Sequence, residues 1–209
     1  MSKEISKEEL ILQTAMQQFI EKGRHGAKMQ EIADKAGINK ALLHYYYRNK
    51  KKLYTKIFEF LIWNNVSEVF KLFDEELTFS EFLRKFIYSY TDLLNKNPKI
   101  PMFLLRELSE GGKTVNAVLK NLIDSNKFSV EKPLSILNKA MKQGEIIQMD
   151  PKQFIATLIG SCIFFFIAEP IFSTLFLDTS SFNREKFIEN RKEAIYQIIL
   201  YGVIPRGKA

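Results

Sequence analysis

Apolar residues recur at intervals of three and four along most of the chain, the spacing that places them on one face of an α-helix. Single apolar and polar residues rarely alternate, as they would in a half-buried strand. The 209 residues include only six prolines and nine glycines, and 46% of them are hydrophobic, which is enough for a sizeable core. The pattern predicts an all-α protein.

Residues that favour helix starts stand ahead of several of these segments. Ser6 can cap a first helix, and Glu9, three residues later, completes the pattern of a capping box. Asn39 is placed to cap a third helix. Asp150 followed by Pro151 combines a capping residue with a proline in the first turn, where the missing N–H has no helical partner to lose. We predict helix starts at these positions.

Glycine and proline end the predicted helices. Gly23 closes the first, and Pro98 and the pair Glu169–Pro170 are expected to break later ones, since the residue before a proline disfavours helical angles. Pro133 interrupts the stretch 113–143, which is either one kinked helix or two. The predicted helices span 6–22, 28–36, 39–46, 50–76, 79–96, 102–109, 113–143, 150–168 and 180–204.

Residues 29–56 contain two short helices that meet at a tight turn. The first ends at Gly37, where the turn needs a residue that accepts positive φ, and Ala33 is small enough for a second helix to pass close by. Apolar side chains fall where this crossing would bury them: Ile32, Ala36, Ile38, Leu43 and Tyr46. This is the arrangement of a helix-turn-helix that reads DNA.

The positive charge of the chain is concentrated in the same region. Residues 1–56 hold 12 Lys and Arg against 6 Asp and Glu, a net of +6, which leaves 19 against 18, or +1, for residues 57–209. A basic patch of this kind is typical of a surface that binds the phosphates of a nucleic acid. The alternative is a solvated lysine-rich face that keeps the protein soluble.

The segment Phe154–Leu177 is long enough to cross a bilayer, but Glu169 and Pro170 interrupt it and its longest apolar run is Cys162–Ala168. A helix that is apolar all round is otherwise buried on all sides. We therefore expect its outer face to pack against a second subunit. The predicted partner is a second copy of the chain, joined through the helices Asp150–Ala168 and Ser180–Ile204 in a four-helix bundle.

Catalytic, metal and cofactor sites are not indicated by the sequence. Cys162, the only cysteine, lies in an apolar run without activating neighbours, which favours a buried inert thiol. Glu107 and Glu110 lie close together without nearby histidines, so a metal site is not expected. A single cysteine and the lack of an export leader are consistent with the reducing cytoplasm. We predict a cytoplasmic protein that is not an enzyme and needs no cofactor.

Three segments resemble the tetracycline-repressor-like (TetR) family of bacterial transcription regulators. They read I-L-Q-T-A-x-x-x-F-x-x-x-G at 11–23, E-I-A-D-K-A-G-I-N-K-A-L-L at 31–43 and Y-Y-x-N-K-K-K-L at 46–53. The specific match covers the first 55 residues or so, and the rest agrees with the family in being all-α with two apolar helices last. The alternative is a helical hairpin that binds nothing.

The resemblance implies two domains and a regulatory function. Residues 1–49 would form the helix-turn-helix DNA-binding domain, and residues 50–209 a helical ligand-binding and dimerisation domain. Two copies would bind a palindromic double-stranded DNA operator as a repressor. A small, mostly apolar effector would release the operator by favouring a state whose recognition helices no longer match the half-site spacing of about 34–36 Å.

The chain departs from the family pattern at three positions of the motif. Lys28 stands where the family usually has a Ser or Thr that caps the first helix of the motif, and a lysine cannot accept from the helix amides. His44 replaces the usual tyrosine of the recognition helix, and Tyr47 an aromatic that is often phenylalanine. The family's base specificity is therefore not transferred to this chain.

The resemblance also indicates which residues contact DNA. Lysine can donate to guanine or phosphate, asparagine can pair with adenine when it is not capping, and the methyl of alanine can meet a thymine methyl. His44 either bonds a base edge or phosphate or has no special role. Tyr46 and Lys50 are expected on phosphates, with Lys28, Lys51 and Lys52 as weaker candidates. The residues expected toward the major groove are Asn39, Lys40, Ala41, His44 and Tyr45.

Aromatic residues in the second half could line an apolar pocket with one charged group, although aromatics at helical spacing are often simply core. The ligand-binding candidates are Phe82, Phe86, Tyr90, Phe103, Arg106 and Phe164–Phe166, with Phe164 and Phe165 the principal members of the last run. A different class of function also fits the sequence: a helical oligomeric adaptor or a membrane-associated protein without sequence-specific DNA binding.

Overall fold

The computed structural model describes residues 6–62, 67–175 and 183–205, and all regular structure within them is helical, which confirms the all-α prediction. The chain folds into two compact units. Unit 1 consists of Met1–Asn65 with Met102–Ser125, and unit 2 of Val66–Pro101 with Asn126–Ala209. The chain therefore leaves unit 2 after α6 and returns to it after α8.

Unit 1 contains the predicted helix-turn-helix. Its helices are α1 (Lys7–Gly26), α2 (Met29–Lys35), α3 (Lys40–Tyr47), α4 (Lys50–Leu61), most of α7 (Lys99–Ser109) and α8 (Lys113–Asp124). The predicted caps are present: Glu9 N donates to Ser6 Oγ at 3.1 Å, and Leu42 N donates to Asn39 Oδ1 at 2.7 Å. Each cap satisfies one of the N–H groups that a helix start leaves without an intrahelical partner.

The turn between α2 and α3 follows the predicted geometry. Gly37 has φ +66°, and the N–H of Ile38 donates back to Ala33 O at 3.0 Å. Ala33 is completely buried, as expected where two helices cross closely. The burial predicted for Tyr46 is wrong, because its side chain is 48% exposed. Tyr47 is buried instead, since it lies one helical turn after the buried Leu43 and shares its face.

Four aromatic rings form the centre of unit 1. The Tyr54 ring packs edge-on against Phe19 (4.9 Å between centroids) and against Phe103 (5.2 Å), and Phe103 stacks on Phe58 at 4.6 Å. All four side chains are 3% exposed or less. Burial of each such ring contributes about 1.5–3 kcal/mol to folding. Segment 102–125 is thus part of the core that supports the helix-turn-helix.

This packing differs from the predicted boundary between residues 49 and 50. Helix α4 buries Leu53, Ile57 and Leu61, and its principal packing partners in unit 1 are α1 and α8. Sequence spacing showed that α4 has an apolar face but not which helices that face would meet. The functional division, with DNA binding before residue 50 and ligand binding after it, stays a prediction.

Unit 2 contains the remaining helices. They are α5 (Ser67–Lys71), a 3-10 turn (Leu72–Asp74), α6 (Phe79–Lys96), α9 (Glu131–Lys142), α10 (Pro151–Leu175) and α11 (Arg184–Val203). The stretch 113–143 is therefore two helices, with the break at 125–130 and Pro133 in the first turn of α9. The single helix predicted over 50–76 has a 3-10 turn at 72–74, and residues 63–66 lie outside the described part.

The predicted break at Glu169–Pro170 is wrong, because α10 continues through Pro170 to Leu175. A proline inside a helix costs about 3 kcal/mol. Ring contacts around Pro170 offset this cost. The Phe165 ring, before the proline, contacts Phe172, after it, at 5.9 Å between centroids and Phe187 of α11 at 4.7 Å. Glu169 also accepts two hydrogen bonds from Arg184, at 2.6 and 3.1 Å, which join α10 to the start of α11.

Helix α10 is long and apolar enough to span a membrane by length and composition, a test that the core helix of a soluble protein also passes. One of its faces lies in the core of unit 2. The opposite face exposes large apolar residues, and so does the neighbouring α11. We call these residues the α10/α11 apolar surface: Ile159, Phe164, Ile171, Leu175, Ile198 and Tyr201.

Candidate DNA-binding surface and effector-binding residues

Helix α3 presents the predicted base-contacting residues to solvent. We call Asn39, Lys40, Ala41, His44 and Tyr45 the recognition surface, and all five are exposed. Tyr45 is 81% exposed, and its ring meets that of Tyr46 edge-on at 5.8 Å. Large exposed aromatics are unusual on a protein surface without a partner. Their direct contact with solvent leaves them available to a ligand such as DNA.

Two members of the recognition surface have their hydrogen bonding partly defined by the fold. Asn39 Oδ1 caps α3, so only its amide NH₂ is available to a base, and bidentate pairing with adenine would require loss of the cap. His44 Nδ1 lies 3.0 Å from Arg48 O. Because a carbonyl only accepts, Nδ1 carries the proton, and Nε2 of the neutral ring is left as an acceptor.

Lys50 has a structural role that the sequence did not reveal. Its ammonium donates to His25 O and to Ala27 O, both at 3.0 Å, and so ties the start of α4 to the loop between α1 and α2. An ammonium has three N–H donors, so one remains for a phosphate oxygen. Lys50 can therefore position the loop and contact DNA at the same time.

Three carboxylates of unit 1, those of Glu21, Glu31 and Glu59, form ion pairs with lysines, while several exposed lysines of the described residues have no acidic partner. Glu31 binds Lys22, and that hydrogen bond is the main cause of its lowered pKa. Lys28 lies 3.9 Å from Glu31 and is 75% exposed in its side chain. Lys40, Lys51 and Lys52 form no ion pair within the described ranges. These cations can bind phosphate without first breaking an internal ion pair.

The structure brings together three of the predicted ligand-binding residues. Phe82, Phe86 and Tyr90 follow one another on α6, with ring centroids 6.0 and 5.7 Å apart. The row continues through Phe73 to Phe70 and Phe128, with successive centroid distances of 5.6, 6.0 and 4.5 Å. This row of six rings, which we call the aromatic row, lies in unit 2. Phe165 is buried in a second cluster with Leu94 and Ile188, whereas Phe164 is 55% exposed.

Phe103 and Arg106, also predicted to bind ligand, have partners in unit 1 instead. Phe103 is fully buried in the aromatic core described above. Arg106 Nη1 donates to Ile20 O at 2.6 Å, and its guanidinium lies against Gly23. Next to it, the buried Glu107 accepts from the N–H groups of Thr114 and Val115 and so caps α8. Both residues lie in the segment Met102–Ser125, which belongs to unit 1, and their role in ligand binding stays a prediction.

Two charged residues, which the apolar pattern of α11 did not predict, lie within its apolar face. Lys192 is 2% exposed and pairs with Asp92 and Glu189. Arg191 donates from Nη2 to Ser161 O at 3.0 Å, but its buried Nε has no hydrogen-bonding partner. The signal was present in the sequence: Arg191 falls three residues after Ile188 and four before Ile195, on the apolar face of the helix.

Cys162 is buried, and burial raises the pKa of its thiol to about 12. A thiol that stays protonated is a poor nucleophile and a poor metal ligand. In the parts of the chain that the structure describes, His, Cys, Asp and Glu form no group of three or more that could hold a metal ion.

The fold and the exposed recognition surface define a class of protein: a helix-turn-helix DNA-binding protein with a larger helical second part. Residues 11–57 match the family model of bacterial regulatory proteins of the tetR family. The match is confined to these residues, where the chain is similar to the DNA-binding segment of the family. The expected resemblance is confirmed.

Similarity extends beyond the motif. The transcriptional regulator RutR of Escherichia coli K12 is 22% identical over 203 residues, which cover 96% of this chain and 92% of RutR. The structure of FadR from Bacillus subtilis in complex with stearoyl-CoA has a TM-score of 0.69 and 17% identity, covering 92% of this chain and 97% of FadR. AibR in complex with isovaleryl coenzyme A and operator DNA has a TM-score of 0.68 and 18% identity, covering 92% and 97%. RutR and FadR are both described as transcriptional regulators.

Proposed function

We propose that the protein is a cytoplasmic, ligand-responsive repressor that binds a palindromic operator as a homodimer and is released by a small, mostly apolar effector. The observation that carries the proposal is the exposed recognition surface of α3 within a region of net charge +6. A short exposed helix within a basic region fits the major groove of DNA. Lysine and tyrosine side chains around it would hold the phosphates.

The hydrogen-bonding state of the recognition surface supports specific base contacts. Lys40 can donate to guanine O6 or N7, and the methyl of Ala41 can contact a thymine methyl. With Nδ1 engaged by Arg48 O, His44 presents Nε2 as an acceptor, which suits the amino group of cytosine or adenine. Tyr46 and Lys50 would hold the flanking phosphates.

The α10/α11 apolar surface supports the proposed homodimer. Its most exposed members are Ile198 at 72% and Leu175 at 65%. A cluster of exposed large apolar side chains marks an interaction site, and a two-fold axis lets one such surface cover its own copy. The pair of helices from each subunit would form a four-helix bundle. Two recognition helices would then read two half-sites.

The interior of unit 2 supports an apolar effector. The aromatic row offers a continuous series of ring contacts, and four of its members, Phe70, Phe73, Tyr90 and Phe128, are only half-buried. FadR and AibR share the fold and were crystallised with acyl-CoA compounds. We therefore propose an effector with an acyl chain. It would act by binding more tightly to a conformation with low DNA affinity.

Recovery and sequencing of the genomic DNA fragments bound by the purified protein test the proposed function. We expect a shared palindrome whose half-site centres are about one helical turn, or a multiple of it, apart. Adding acyl compounds should release the recovered fragment. Failure to bind any DNA at low salt would contradict the proposal and favour an adaptor role.

The variant Lys50→Ala is expected to weaken binding to all DNA sequences about equally. Loss of one phosphate contact should lower the slope of log affinity against log salt by about one unit. Loss of the bonds to His25 O and Ala27 O should also lower the melting temperature. Fluorescence anisotropy with labelled DNA at several salt concentrations, together with thermal denaturation, measures both effects.

The exposed Lys142, in unit 2, provides the control for Lys50. Lys142→Ala removes the same charge and should leave the salt slope unchanged. If Lys50→Ala lowers the melting temperature but keeps the original slope, the ammonium acts on the loop alone and does not contact phosphate.

A further inference from the structure

Arg191 is a guanidinium without a carboxylate partner at the edge of the core of unit 2. It forms no ion pair within residues 6–62, 67–175 and 183–205, and its single hydrogen bond is the one to Ser161 O. Its Nε is inaccessible to solvent and unpaired. Arg191 as a whole is only half-buried, but a polar atom that is buried without a hydrogen-bonding partner is costly. The neighbouring Lys192, by comparison, has two carboxylate partners.

A second unpaired polar group lies next to the same part of α10. The Thr91 side chain is 1% exposed, and its hydroxyl oxygen makes no regular hydrogen bond. It faces the Cys162 thiol, a weak partner, and Cys162 follows Ser161 directly. The positive charge of Arg191 also acts on this thiol. Arg191 and Thr91 therefore approach the same point of α10 from α11 and α6.

Tyr90 joins this polar group to the aromatic row. Its ring contacts Phe86 and packs against both apolar clusters of unit 2. Burial raises the pKa of its hydroxyl to about 12, and the nearby Cys162 contributes to the shift. The aromatic row thus ends at Tyr90, beside two unpaired donors: the Thr91 hydroxyl and the Nε of the cationic Arg191.

We propose that Arg191 and Thr91 bind the carboxylate of an effector whose hydrocarbon chain lies along the aromatic row. A carboxylate has two acceptor oxygens, which can satisfy the free Nε of Arg191 and the Thr91 hydroxyl together. The half-buried rings from Tyr90 to Phe128 provide the apolar contact for the chain. The effector is thus a free fatty acid rather than a neutral or thioester compound.

This inference rests on the proposed ligand-responsive function and names the ligand class. Isothermal titration calorimetry of the full-length protein with sodium dodecanoate and with 1-dodecanol measures the contribution of the carboxylate to affinity, because the hydrocarbon chains of the two compounds are equal in length. We expect dodecanoate to bind about tenfold more tightly or better. The variant Arg191→Gln should lose this preference and bind both compounds equally, while Thr91→Val should reduce it by a smaller factor.

Lys186→Gln is the matched control, since it removes a positive charge from an exposed position of the same helix and should leave the preference unchanged. Size-exclusion chromatography with light scattering gives the oligomeric state of each variant. The inference is overturned if Arg191→Gln retains the preference, or if it weakens both compounds equally. It is also overturned if the variant only dissociates the oligomer, because Arg191 would then pair with a second copy.

Two further measurements separate this inference from the proposed function. Tight binding of dodecanoyl-CoA that is insensitive to Arg191→Gln, with weak binding of dodecanoate, would overturn the free-acid assignment and keep an acyl effector. Carboxylate binding through Arg191 without any change in DNA affinity, measured by anisotropy, would support the site and contradict the proposed release of the operator.

Discussion

Replacing Ile198 by glutamate is expected to convert the dimer into monomers and to weaken binding to a palindromic operator by about 100-fold or more. Ile198 is the most exposed residue of the α10/α11 apolar surface, at 72%. A two-fold interface would bury two copies of the new carboxylate, each without a partner, and such burial costs several kcal/mol. A monomer has one recognition helix and loses the gain of binding two half-sites. Light scattering and fluorescence anisotropy measure the two effects.

Val130 provides the control for Ile198. It is also an exposed apolar residue of unit 2, at 46%, but it lies next to α9 and outside the α10/α11 apolar surface. Val130→Glu should therefore remain dimeric and bind the operator normally. A monomeric wild-type protein, or an Ile198→Glu variant that stays dimeric, would contradict the proposed interface.

The helix starts and the turn of the motif could be predicted from sequence because local chemistry determines them. Ser6 and Asn39 cap their helices through short-range hydrogen bonds, and Gly37 adopts the positive φ that its turn requires. None of these features depends on a distant part of the chain. The exposure of the recognition surface was predictable for the same reason, since it lies opposite Leu43 on α3.

Contacts between distant segments were not predictable from sequence. Pro170 was expected to end α10. The contacts of the Phe165 ring with Phe172 and Phe187 favour a continuous helix over the local preference of proline. Phe103 and Arg106 were expected in a ligand pocket because their residue types suit one. Residue type alone does not show which helix each will meet, and both meet helices of unit 1.

In the candidate site, too, local features could be predicted from sequence and contacts between distant segments could not. Lys50 was correctly placed at the start of α4, but its hydrogen bonds to His25 O and Ala27 O involve backbone carbonyls more than twenty residues earlier. The spacing of Arg191 could have shown it as a charge on the apolar face of α11. Its missing carboxylate partner could be recognised only once α6, α10 and α11 were packed together.

Replacing Phe103 by alanine is expected to lower the free energy of unfolding of unit 1 by about 3–5 kcal/mol. The ring is fully buried and contacts both Phe58 and Tyr54, so its removal leaves a cavity in the core that supports the helix-turn-helix. A loss of this size is a large fraction of the stability of an ordinary domain. DNA binding should therefore weaken severely with or without effector, and thermal denaturation should show an early transition.

The variant Phe103→Leu separates this structural role from ligand binding. Leucine fills most of the space of the ring, so the loss of stability should be much smaller and DNA binding should remain. Phe86→Ala changes the aromatic row in unit 2 and should instead alter effector binding. If Phe103→Ala bound DNA normally but no longer responded to effector, Phe103 would line the ligand site after all. The structure argues for the opposite result, because every ring that Phe103 contacts belongs to the unit that carries the recognition helix.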